Sequence, residues 1–302
     1  MFRVYARFLI ISLFLLISST ALFAQSGHSA RNSTNLDGSI LSVTAERTDG
    51  STEPIRAEDV FLYENAIEQQ IKNFSFDPSP SRIVILVDNS QTLRVDVDTL
   101  KSAVMEFAYE IFEGDQLYVI AYDEKPEIIQ EWTDNADTLS ASLSTFRKQG
   151  NPHLFDAVNA AAGEVLLPLM PGTRKTAIVL ISDGLDRGSK TPFGSLLDEL
   201  QKQNITVYTL QVADRSNGAY RRNTPKAPEV IRQLTEATGG LAFPIEQAKD
   251  AAASVCNELR KDRYLLAYFP TNTSSYEARS LLITSNGGIK IRSKAAQPPN
   301  IK

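Results

Sequence analysis

Cysteine is nearly absent from this chain of 302 residues: Cys256 is the single one, which excludes a disulfide framework and a thiolate zinc cluster. It lies in the helical pattern "AAASVCNELRK", where a small buried side chain is its expected role. Histidine is almost as scarce, with only His28 and His153, and no H-E-x-x-H or other histidine-based zinc pattern is present. Without a G-x-S-x-G elbow, and with His153 the sole base near any candidate site, a serine hydrolase is disfavoured. Positive charge is also in deficit, 31 Lys and Arg against 36 Asp and Glu. A main partner that is nucleic acid or anionic lipid would need a basic surface, so both are set aside. The one local basic pair, Arg221-Arg222, reads as part of a solvated loop.

Long apolar runs are missing too, except at the start. Arg3 and Arg7 precede the apolar run Phe8 to Leu16, and "SSTALFAQ" follows with small residues. This is the pattern of an export signal, residues 1–24, cleaved after Ala21 or Ala24. The competing reading is an uncleaved anchor, since the whole stretch is nearly long enough to span a bilayer. No later segment approaches that length, so no membrane span is expected after cleavage, and the mature chain would carry 29 basic against 36 acidic residues, a net charge of −7. No cysteine follows the signal to take a lipid. The expected location is the periplasm or the medium.

What the chain does have is 42% hydrophobic residues, enough to bury a full core. Residues 25–81 are β-like and turn-rich: "SILSVTAERTDG" alternates and turns at Asp49-Gly50, "VFLYENAIEQQIKNFSF" supplies a second and third strand, and "DPSPS" is a stiff linker. Over residues 82–261 apolar strands alternate with amphipathic helices. The strands are "RIVILVD", "QLYVIAYD", "TAIVLISD", "ITVYTLQV" and the shorter "GLAFPI"; "KPEIIQEWT" bears a proline and suits an edge. Leu100, Ala103, Val104, Phe107, Ala108 and Ile111 repeat at helical spacing, and Leu154, Ala157, Val158, Ala161 and Val165 form another stripe before Pro168. Strands apolar on both faces, each followed by a helix, mean an α/β fold with a doubly wound, mostly parallel Rossmann-like sheet covered on both sides. Residues 262–294 return to β pattern with an Asn-Gly turn, and a disordered tail is expected over 295–302. The two β-rich flanks are expected to pack together at one edge or end of the domain.

In such a sheet, ligands sit at the carboxyl ends of the strands. Two strands end there in aspartate: "VILVD" in Asp88 and "IVLISDG" in Asp183. A single such aspartate would be read as a cap or an Asx turn. Two of them, with Ser90 and Thr92 following the first, favour a divalent cation, because Mg²⁺ takes one or two carboxylates with hydroxyls and waters. A cation held by neutral hydroxyls stays short of negative charge and attracts a carboxylate from outside the protein.

"DNSQT", Asp88-x-Ser90-x-Thr92, resembles the D-x-S-x-S metal-ion-dependent adhesion site (MIDAS) of von Willebrand factor type A (vWA) domains, with Thr92 in place of the last serine. "VLISDGLD" resembles the strand supplying that family's later aspartate, here Asp183, and "GNPHLFDAV" stands where the family has G-G-T-x-L-Y-D-A. The flanks resemble a bacterial exported branch of the family common in acidobacteria. The resemblance covers Arg82 to about Lys261 and implies a vWA-like fold with extra β strands from both flanks. It further implies Mg²⁺, or Mn²⁺ or Ca²⁺, bound directly by Ser90 and Thr92 and mostly through waters by Asp88 and Asp183. The implied partner is a protein that offers an acidic side chain. One position departs: Pro152 stands where the metal-binding threonine belongs and has no side-chain oxygen. Asn151 or a backbone carbonyl would have to substitute.

Arg94 is a candidate partner contact, and equally a guanidinium able to occupy the cation's place. His153, at a helix start, is the second partner-contact candidate. Asp186 is read as a loop or supporting residue, Ser189 as a cap, and Asp156 as stabilising the first turn of its helix. Three functions stay open: metal-dependent protein recognition without enzymatic activity, a metal-independent scaffold in a secreted or envelope assembly, and a haloacid-dehalogenase-like phosphatase with Asp88 as nucleophile. The last is disfavoured because Ser90 stands where the general acid is required.

Overall fold

The computed structural model describes residues 38–213, 225–271 and 277–299. The proposed signal peptide lies outside them. Among the described residues no helix is long and apolar enough to cross a membrane.

Six strands form the central sheet: β5 (Arg82–Asp88), β6 (Gln116–Tyr122), β7 (Pro126–Thr133), β8 (Thr176–Ser182), β9 (Thr206–Gln211) and β10 (Ala242–Pro244). Their order is β10-β9-β8-β5-β6-β7. All neighbours run parallel except β7, which is antiparallel to β6 at the edge, the place its proline and polar pattern suit. β5, β6 and β8 are buried along almost their whole length, as strands covered on both faces must be. Helices α1 (Val97–Glu110), α2 (Ala136–Ser142) and α6 (Ala248–Lys261) cover one face, where Ile83, Ile85 and Val87 meet Phe107, Leu139 and Val255. Helices α3 (Leu154–Ala160), α4 (Phe193–Lys202) and α5 (Ala227–Thr238) cover the other, where Val84 and Leu86 meet Leu154, Leu196 and Leu234. The chain leaves β5 for one face and β8 for the other. The switch point therefore lies between the carboxyl ends of β5 and β8.

The stripe from Leu154 to Val165 does not stay α-helical. After Ala160 it widens into a π-helical stretch, Ala161–Leu166, before Pro168, which has no N–H to continue the ladder.

The flanks build a β-sandwich. β1 (Ser39–Arg47), β4 (Ile71–Phe76), β11 (Arg263–Tyr268) and β13 (Ile289–Ser293) form one sheet in the order β13-β1-β11-β4. β2 (Val60–Glu64), β3 (Ile67–Gln69), β12 (Arg279–Ser285) and β14 (Ala296–Gln297) form the other. Leu41, Val43, Leu62, Leu266, Tyr268 and Leu281 share the core between them. The segments on either side of the Asn286-Gly287 turn join different sheets rather than pairing as a hairpin. The tail also departs from its sequence pattern. Ala296–Gln297 pairs with β12, anchored by the buried Lys294, whose Nζ donates to Gln201 O and Gln297 Oε1, both at 2.6 Å.

Candidate functional site at the carboxyl edge of the sheet

Asp88 and Asp183 end adjacent parallel strands, so the sheet itself brings them together. Asp88 is 1% exposed, Ser90 0% and Asp183 6%, while Thr92 remains partly open to solvent. The turn after β5 is built by its own first residue: Asp88 Oδ1 accepts the Ser90 N–H at 2.9 Å. That turn places the Ser90 and Thr92 hydroxyl oxygens 3.1 Å apart. Asp183 repeats the device after β8, its Oδ1 accepting the Leu185 N–H at 2.9 Å. Gly184 then takes φ +84°, and a Cβ there would stand 2.3 Å from Ala227 O, so only glycine fits.

Burial pushes the Asp88 carboxyl up to about 7; hydrogen bonds from Ser90 and Ser182 pull against the rise, and the charge of Asp183 adds to it. Among the described residues no ion pair involves Asp88 or Arg94. Arg94 is exposed. Asp88 thus lies near a second carboxylate without an ion pair of its own among the described residues.

Three loops interlock around this point. Asn89 N donates to Tyr122 O, Gln149 N to Asn89 O and Gln91 N to Gly150 O, joining the β5 turn to the segment before α3. Arg187 N donates to Pro152 O at 2.7 Å, joining that segment to the turn after β8. Pro152 is buried and its carbonyl already accepts this bond; Asn151 is exposed beside it. His153 occupies the N-cap position of α3 without a side-chain capping bond, and its half-buried ring lies against Gly188, where a Cβ would stand 2.4 Å from Nε2. Asp186 is occupied in the same scaffold, accepting the Phe155 N–H at 3.3 Å and the Ser189 hydroxyl. Asp156 accepts the N–H groups of Lys190 and Thr191, which ties the start of α3 to the loop after β8.

The donor set suits a hard divalent cation. Neighbouring oxygens in an octahedron with bonds near 2.1 Å stand about 3 Å apart, close to the separation of the Ser90 and Thr92 hydroxyls. The two carboxylates would supply the charge. Pro152 removes one protein oxygen, which water would have to replace.

Residues 83–185 match the model of the von Willebrand factor type A domain. This segment is a von Willebrand factor type A domain. The match spans β5 through the turn after β8 and so contains Asp88, Ser90, Thr92 and Asp183, while the sheet of the vWA fold continues through β9 and β10. Similar solved structures include an aerotolerance-related membrane protein from Bacteroides fragilis, at 18% identity over 60% of this chain and 99% of that one, TM-score 0.45. BatB from Bacteroides thetaiotaomicron is 16% identical over 60% of this chain and 98% of its own, TM-score 0.46. A von Willebrand factor type A protein from Catenulispora acidiphila is 10% identical over 86% of this chain and 74% of its own, TM-score 0.49. No curated protein matches.

Two side chains beside Asp88 escape a reading of the sequence. Tyr122 and Ser182 are both fully covered, at the ends of β6 and β8 on either side of Asp88. Burial, and then the Asp88 charge, push the Tyr122 phenol well above its ordinary range, so it stays a donor. The available signal was parity. Tyr122 and Ser182 share the strand face of Tyr118, Ile120, Ile178 and Leu180, and a polar group ending an apolar face needs a partner.

Proposed function

We propose that this vWA domain is an exported protein-recognition module that docks a partner's acidic side chain at a divalent-cation site, and that it is not an enzyme. The observation that carries the reading is the buried Asp88, held near the charge of Asp183 with no ion-pair partner among the described residues, beside two hydroxyls at ligand spacing. Ser90 and Thr92 would hold Mg²⁺ directly, with Asp88 and Asp183 neutralising it mostly through water. A bound divalent cation would offer its remaining coordination position to a carboxylate, and that position selects the acidic partner. Arg94, exposed two residues after Thr92, would meet the partner's surface. Export rests on the signal-like start of the sequence.

Enzymatic readings find little support. The phosphatase needs an acid where Ser90 sits, and the His153 imidazole is packed on Gly188. The metal-independent scaffold draws support from Pro152, which offers no side-chain oxygen where the family has a metal-binding threonine. Titrating the chain with Mg²⁺ and Mn²⁺ by calorimetry and thermal melting, in wild type and Asp88→Ala, separates the two. Saturable stabilisation by metal that disappears in the variant supports recognition through the cation; the same response to metal in the two proteins decides for the scaffold.

A further inference from the structure

The Ser182 hydroxyl sits among three groups. Its oxygen lies 3.1 Å from the Tyr122 hydroxyl, 3.0 Å from the Gly184 N–H and 3.4 Å from Asp88 Oδ2. A serine hydroxyl has one proton and two lone pairs. Gly184 N–H can only donate, so it takes one lone pair. An ionised carboxylate can only accept, so the serine proton goes to Asp88. One lone pair remains, and it must receive the Tyr122 proton. With Asp88 ionised, as beside a bound cation, the direction of the chain is thereby forced: Tyr122 to Ser182 to Asp88.

We infer that Tyr122 and Ser182 are positioning residues for the cation site, a role that rests on the reading above. The Ser182 hydroxyl, held in turn by Tyr122, restrains Asp88 Oδ2 while the Ser90 N–H holds Oδ1, which limits rotation of the carboxylate. The same Ser182 oxygen pins the turn that follows Asp183, through Gly184. One hydroxyl thus sets the spacing between the two acidic groups. Tyr122 supplies no ligand. Its phenol is wholly buried and keeps the serine proton pointed at Asp88. Neighbouring hydrogen bonds of this kind fix the orientation of metal-binding groups, and their loss commonly weakens metal binding by about ten-fold to a hundred-fold.

The test is calorimetric titration of the full chain with Mg²⁺, and separately Mn²⁺, in wild type, Tyr122→Phe, Ser182→Ala and Ser182→Thr. Metal-free melting temperatures are recorded in parallel. The expected result is a loss of about ten-fold or more in affinity for Tyr122→Phe and Ser182→Ala. Ser182→Thr, which keeps a hydroxyl, should recover most of that loss. The metal-free melting temperature of Tyr122→Phe should stay near wild type, because the ring and its packing remain; a purely structural role would move the melting temperature and not the affinity. Should Ser182→Ala fold poorly, Tyr122→Phe and Ser182→Thr still carry the comparison. Variants that bind as tightly as wild type overturn this inference and leave the cation site standing. A wild-type chain that takes up neither metal overturns both.

Discussion

Replacing Asp88 with asparagine should stabilise the metal-free protein, although it removes the central acid of the site. Burial holds the Asp88 carboxyl at about 7 against an ordinary value of 3.8, and that difference corresponds to a penalty of about 4 kcal/mol on the native state once the group is ionised. Because the native value is the higher one, the native state binds the extra proton between about pH 4 and pH 7. Stability is therefore lost as pH rises through that window and is level above it. Asparagine carries no charge and removes the slope. It also turns an N–H₂ group towards the Ser182 proton, a mismatch costing about 1–2 kcal/mol. The net gain at pH 8 is then about 2–3 kcal/mol, or a rise of roughly 4–6 °C in melting temperature for a folded unit of this size. Thermal melts of wild type and Asp88→Asn in chelator at pH 5 and pH 8 measure the difference directly. A variant no more stable than wild type at pH 8, with the same dependence on pH, would refute the claim that Asp88 is an uncompensated buried charge.

Pro152→Thr restores a hydroxyl at the departing position and is expected to tighten Mg²⁺ binding by about ten-fold, read by calorimetry, in keeping with one added oxygen ligand. Gly184→Ala forces a Cβ to 2.3 Å from Ala227 O at φ +84°, and should cost about 2–4 kcal/mol in urea unfolding. Lys294→Met removes a buried ammonium that burial, then Arg279, lowers to about 7. Its native value lies below the unfolded one, so wild-type stability should climb between pH 7 and about pH 10, and the variant should lose that climb in pH-dependent denaturation.

The alternation of apolar strands with amphipathic helices made the central sheet legible, because a strand buried on both faces, such as Val84 to Val87, has few other uses. Asp88 and Asp183 were legible for the opposite reason: a carboxylate closing such a strand has no place in a core. The sandwich was harder. Its strands read as strands, but nothing local says that Ile283 and Ile291, on either side of one turn, enter different sheets; that is decided by partners far away in the chain, Leu62 and Ala45. The tail misled for a related reason. "AAQPPNIK" is poor in apolar residues, yet Lys294 and Gln297 are buried by contacts with α4, which composition cannot foresee. Tyr122 and Ser182 were hidden because each looks like an ordinary strand residue until the register sets them beside Asp88.

The sandwich joins the α/β layer at the end opposite the aspartates, and the helices explain its charges. Lys294 donates to Gln201 O at the last turn of α4, Arg292 reaches Gly239 O just past α5, and Arg263 and Arg292 both meet Glu258 in the last turn of α6. The ends of these helices carry the partial negative charge of their unpaired carbonyls, which favours cations. Glu258 concentrates that charge, accepting also from Tyr208 and Thr44. The docking of the sandwich thus uses helix C-termini, which in a parallel α/β layer all lie beside the amino ends of the strands. The carboxyl ends, with Asp88 and Asp183, are left clear of it. A partner docking there, as proposed, would not have to displace the sandwich, and removing the Glu258 carboxylate should weaken the junction while leaving divalent-cation affinity unchanged.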